Sequence, residues 1–132
     1  MRATVQPLIM IADQDEDERC LLRAILKLKG CRVVEAADGQ QAIDLATHAT
    51  PDVLLVDLRL PRVSGLVVIR QIGNQARLRN LQMFTVSVSA SRSKHVRVPG
   101  SVAHLEKPVE VDQLISLIDR LLPGRRSQLV QR

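Results

Sequence analysis

Strand-like runs alternate five times with helix-like stretches along this chain of 132 residues, and that alternation limits its fold more than any other feature. The strand-like runs are Leu8–Ala12, Cys31–Ala36, Val53–Asp57, Met83–Ser89 and Val102–Glu106. Between and after them, apolar residues recur at helical spacing in residues 15–29, 40–47, 64–72 and 111–122. Residues 91–100 are less regular and hold at best a short helix. Such alternation calls for an α/β fold, a parallel sheet with helices on both faces. Right-handed crossovers then bring the carboxyl ends of all five strands to one edge, where ligands of open parallel sheets bind. Asp13, Asp57, Ser89 and Lys107 gather at that edge.

Val53-Leu54-Leu55-Val56 is apolar throughout, as befits a strand buried on both faces, and it runs straight into Asp57. An acid there either carries chemistry or begins the Pro61-bearing turn that follows. The first strand also ends in an acid, Asp13, and residues 13–18 are acidic in five of six places. Asp15 and Glu18 match the D-x-x-E form of a capping box, and acids in a first helical turn suit the helix dipole. Asp13 is not needed for that cap. No G-x-G-x-x-G or Walker A sequence follows a strand, which argues against a dinucleotide or nucleoside triphosphate site.

The length suits one domain with a proper core, expected over residues 1–124, with a loose basic tail at 125–132. Phe84 is the single aromatic residue, so the core is aliphatic and there is no platform for stacked bases. The net charge of +5 favours acidic partners in general. Its basic residues are nevertheless spread along the chain without a nucleic-acid motif, and they read as solvated surface. Cys20 and Cys31 form no C-x-x-C pair and are expected to be reduced, mostly packed thiols. With no signal-peptide core and no apolar run of membrane-spanning length, the reading is a soluble, cytoplasmic protein without membrane contact.

Two carboxylates, an ammonium and a hydroxyl at one edge suit a divalent cation and a phosphoryl group. An aspartate can attack phosphorus and form an aspartyl phosphate. Mg2+ held by carboxylate and carbonyl oxygens would offset the incoming charge, and Lys107 and Ser89 could hold other phosphoryl oxygens. Each group also has a plainer explanation: Lys107 as a lysine paired to Asp57, Ser89 as a hydroxyl bonding backbone. A hydrolase triad built on Ser89 with His95 or His104 lacks the sequence context of a nucleophile elbow.

From about Leu8 to Leu122 the sequence resembles the response-regulator receiver domains of two-component signalling. The resemblance rests on Ile11-Ala12-Asp13, Glu35 to Ala42, Leu54 to Pro61 with Ser64-Gly65, Val88-Ser89-Ala90 and Glu106-Lys107-Pro108. It implies a flavodoxin-like, doubly wound sheet of five strands. It further implies that Asp57 accepts phosphate from a histidine kinase or phosphotransfer protein, with Asp13, Asp57 and the Arg59 carbonyl as ligands of Mg2+. Lys107 would contact the phosphoryl group and Ser89 would act as the switch hydroxyl. The chain would be a single-domain response regulator signalling to a downstream protein, not a dedicated enzyme.

Three departures stand out. Gln14 replaces the second of two consecutive acids, which removes a charged ligand and is expected to weaken the cation site, although an amide oxygen can still coordinate. His104 stands where the family places a Tyr or Phe that reports phosphorylation; it either switches or is a static strand histidine. The Ser89-to-Lys107 interval is about four residues short, with Pro99 inside it, so the helix there should be short or irregular. Gln14 and that interval keep open the alternative of a binding module that works without phosphorylation.

Overall fold

The computed structural model describes residues 6–90 and 97–123. The expected tail and most of the irregular stretch, including His95, lie outside the described residues. The elements are β1 (Leu8–Ala12), α1 (Glu16–Leu28), β2 (Arg32–Ala36), α2 (Gly39–Ala49), β3 (Val53–Asp57), α3 (Gly65–Leu78), β4 (Phe84–Ser89), β5 (Ala103–Glu106) and α4 (Val111–Leu121). All strand pairs are parallel, in the order β2-β1-β3-β4-β5. The order reverses between β1 and β3, so their carboxyl ends flank the crevice where such sheets bind ligands.

Because successive strand residues face opposite ways, β1 and β3 feed two cores. On one face Ile9, Ile11, Val53 and Leu55 pack with Leu22 and Leu26 of α1 and Leu114 and Ile118 of α4. On the other, Met10, Leu54 and Val56 pack with Ala42 and Ile43 of α2 and Val68, Ile69 and Ile72 of α3. Each fully buried aliphatic side chain contributes roughly 1.5–3 kcal/mol. That is enough to fix a sheet built almost without aromatics.

Local chemistry sets the helix starts. Asp15 accepts from the Asp17 and Glu18 amides at 2.9 and 3.2 Å, Asp38 from Gln41 N at 2.8 Å, and Ser64 from Val67 N at 3.4 Å. The capping box is only half made, since the Asp15 amide donates to Asp13 Oδ1 at 2.8 Å and not to Glu18. α3 does not end at Gly73-Asn74 as its sequence suggests, but runs on to Leu78. Ala76, one turn beyond Ile72, is buried, and that burial outweighs the cost of about 1 kcal/mol of an internal glycine. Leu66 and Val111, apolar residues within the helical stretches, are exposed, and Cys20 lies on the outer surface of α1 while Cys31 is buried.

Two glycines bring the crevice loops close. A Cβ on Gly65 would sit 2.3 Å from the Asp57 carbonyl oxygen, and one on Gly39 would sit 1.9 Å from that of Val63. Only the missing side chains let α2 and α3 start hard against the β3–α3 loop.

Candidate functional site

β1 and β3 pair with Ala12 opposite Val56, so the residues that follow, Asp13 and Asp57, emerge side by side. The Asp13 amide donates to the Ala36 carbonyl at 3.0 Å, and its carbonyl oxygen accepts from Arg19 Nη1 at 2.6 Å. Arg19 is in turn held by Glu35 of β2. At Asp57, Oδ1 accepts from the Arg59 amide at 2.9 Å, which fixes the carboxylate plane. Lys107, just past β5, is anchored through its own amide to the Ser89 carbonyl at 2.9 Å.

Its ammonium reaches back across the strand ends. Lys107 Nζ donates to Asp57 Oδ2 at 2.6 Å and lies 2.9 Å from Asp13 Oδ2 and 2.6 Å from Glu18 Oε2. Asp13 and Asp57 are 3% and 6% exposed, so the charges meet at low effective dielectric. Burial alone would lower the Lys107 ammonium, but Asp57, Glu18 and Asp13 outweigh it and hold it above its ordinary value. Asp13 moves the other way for an acid: burial and the neighbouring Glu18 carboxyl push it above the usual range, against the opposing pull of the Asp15 amide and Lys107. One ammonium among three carboxylates leaves the site short of positive charge.

Glu18 is the member that its sequence position conceals. As the third residue of α1 it fits a cap, yet its carboxylate turns toward the crevice. Helical side chains lean toward the N-terminus, which is the signal that could have found it. Glu18 Oε2 is buried and, despite its closeness to Lys107, makes no hydrogen bond among the described residues.

Ser89 and His104 form a second group. His104 lies between two β4 hydroxyls, Nδ1 2.7 Å from Ser87 Oγ and Nε2 3.1 Å from Ser89 Oγ. Ser101 Oγ donates to Ser87 Oγ at 3.2 Å. The β4–β5 register, with Ser87 opposite His104 and Ser89 opposite Glu106, sets the imidazole across the strand from both serines. Of the other predicted residues, the Gln14 and Arg59 side chains are exposed.

A family profile described as the response regulator receiver domain matches residues 9–119. The chain is a receiver domain. It is 30% identical over 116 residues to the polar-differentiation response regulator DivK of Brucella anthropi, covering 86% of this chain and 94% of that one. It is similar in fold to a CheY-like receiver domain of Methanospirillum hungatei (23% identity, TM-score 0.80, covering 92% of this chain and 97% of that one). It is also similar to the receiver domain of Ssk1 of Saccharomyces cerevisiae, solved with the histidine phosphotransfer protein Ypd1 (20% identity, TM-score 0.82, 91% of each chain covered). The flavodoxin-like fold and the receiver family expected from the sequence are therefore correct, and the module is one of signalling and not a dedicated enzyme. No helix among the described residues is long and apolar enough to cross a membrane.

Receiver domains generally use Mg2+ at the phosphorylation site. The donor chemistry of this receiver suits a hard cation, with three carboxylates and a buried Glu18 oxygen that lacks a hydrogen bond. As the side chains stand, no group of three or more acids, histidines or cysteines among the described residues is arranged to hold a metal. The point common to Asp13, Glu18 and Asp57 is taken by the Lys107 ammonium.

Proposed function

We propose that this receiver is a cytoplasmic, single-domain response regulator whose Asp57 accepts a phosphoryl group from a histidine kinase or phosphotransfer protein. The observation that carries the reading is the 2.6 Å contact of Lys107 with Asp57, at the strand edge shared with Asp13. The Arg59 amide holds Oδ1, so Asp57 is oriented before a donor arrives. A carboxylate oxygen of Asp57 forms the P–O bond as the P–N bond to the donor imidazole breaks and that imidazole takes up a proton. Lys107 exchanges its contact with Asp57 for one with a phosphoryl oxygen, which offsets the added negative charge. Mg2+, held by Asp13, Asp57 and the Arg59 carbonyl with weak help from Gln14, supplies further charge neutralisation when bound.

Ser89 carries the signal outward. A hydroxyl drawn toward the phosphoryl group would break its 3.1 Å contact with His104 and leave that ring with its 2.7 Å contact to Ser87, loosening it and changing the surface offered to a downstream protein. The receiver of Ssk1, solved with a phosphotransfer protein, supports a partner of that kind. Incubation with acetyl phosphate and Mg2+ followed by intact-mass measurement tests the proposal. The expected result is one phosphoryl adduct on the wild type and none on Asp57→Asn; an adduct that survives Asp57→Asn contradicts it. The exposed, uncharged Gln14 favours one other reading, a binding module that works without phosphorylation, for which no adduct forms at any Mg2+ concentration.

A further inference from the structure

We propose that Glu18 is the third carboxylate of the cation site, standing in for the acid absent at Gln14, and that a divalent cation and the Lys107 ammonium compete for it. The inference rests on the reading of this crevice as the phosphorylation site and adds a residue that the family pattern does not supply.

Position carries the first part of the argument. The Glu18 carboxylate reaches the crevice from the first turn of α1, 2.6 Å from the same ammonium that contacts Asp13 and Asp57. Charge carries the second. Two acids after β1, Asp57 and a lysine would sum to minus two; here Gln14 removes one charge and Glu18 returns it. Satisfaction carries the third. Glu18 Oε2 is buried against the Lys107 ammonium and takes no hydrogen bond from any other described residue, so it retains coordinating capacity. A cavity of about 60 Å3 opens beside Asp13, Glu18 and Lys107, its remaining wall made of apolar side chains such as Leu21, Leu22 and Val88.

Lys107 thus fills the site with one charge where the carboxylates could balance two. A divalent cation bound by Asp13 and Glu18 must displace the ammonium from them. Lys107 would then be free for a phosphoryl oxygen, so binding the cation and readying the lysine become one event. Removing the lysine should therefore strengthen cation binding, whereas removing Glu18 should weaken it.

Mn2+ is the probe, since the chain has no Tyr or Trp to report binding by fluorescence and bound Mn2+ is lost from the solution electron paramagnetic resonance signal. Glu18→Gln should weaken Mn2+ binding by at least about tenfold. Glu16→Gln, an exposed acid on the same turn, should leave it unchanged, and Lys107→Ala should tighten it several-fold. Adding Gln14→Asp to Glu18→Gln should recover most of the lost affinity. Circular dichroism on each variant separates lost binding from lost fold. Wild-type affinity in Glu18→Gln, weaker binding in Lys107→Ala, no recovery in the double variant, or no Mn2+ binding by the wild type would each overturn the inference. Should the full Mn2+ pattern appear while acetyl phosphate leaves Asp57 unmodified, Glu18 keeps its role and the phosphoacceptor reading is the one that fails.

Discussion

Asp13 bears a cost that can be measured. Its carboxyl is held above the ordinary aspartate range by burial and by Glu18, so the folded state binds its proton more tightly than the unfolded chain does. Stability tied to this group is therefore highest below the unfolded value of 3.8 and falls as pH rises through the raised folded value. Asp13→Asn should accordingly raise Tm at pH 7, with the gain shrinking toward pH 4; a gain that grows as pH falls would contradict this sign. The two thiols should differ as well. Burial pushes the Cys31 thiol up to about 11, whereas Cys20 is exposed on α1, so iodoacetamide at pH 8 should label Cys20 and spare Cys31 in the native protein. Asp13, Asp57 and Lys107 were legible because strand ends are dictated by the backbone, and a residue directly after a buried run has little choice of place. Glu18 was not, because Asp15 gave the same position an ordinary explanation as a cap. The contacts of His104 with Ser87 and Ser89 needed the β4–β5 register, which the residues alone do not state.

Between elements, the close approach of α3 to the end of β3 depends on Gly65. An added methyl would meet the Asp57 carbonyl and Leu58 Cα, both backbone atoms that cannot turn aside. Gly65→Ala should cost about 1–3 kcal/mol, read by urea unfolding, and should slow phosphorylation even in the folded fraction by shifting Asp57. The end of α1 is tied to α4 by Lys29, whose side chain is 1% exposed and pairs with Asp119. Asp119→Ala leaves that ammonium without its carboxylate and should cost about 1–3 kcal/mol, since Asp119 itself is partly solvated. Lys29→Met, which replaces the buried charge by an apolar chain, should cost less than Asp119→Ala; the reverse ranking would show that the pair stabilises the fold on its own account. Sequence gave no warning of this pair, because a lysine and an aspartate ninety positions apart are each ordinary on helix surfaces. The helix ends were legible where a cap was read, as at Asp15. They were not at Gly73-Asn74, where a glycine that stops an isolated helix is overridden by the burial of Ala76.

At the scale of the whole molecule, the five-fold alternation carried the topology, since a parallel sheet with right-handed crossovers leaves few arrangements for five strands. That topology brings Asp13 and Asp57 together at the β1–β3 reversal and returns Lys107 to them from the far edge of the sheet. What the alternation could not state is which side chains share one ammonium, because that depends on rotamers at the ends of elements. The central claim is that this crevice delivers a phosphoryl group to Asp57. Its most direct test is to treat the receiver with acetyl phosphate and Mg2+, reduce the product with borohydride, and map the peptides for the homoserine that an aspartyl phosphate leaves behind. Homoserine at position 57 alone is the result predicted here; homoserine at position 13, or at neither position, would contradict it.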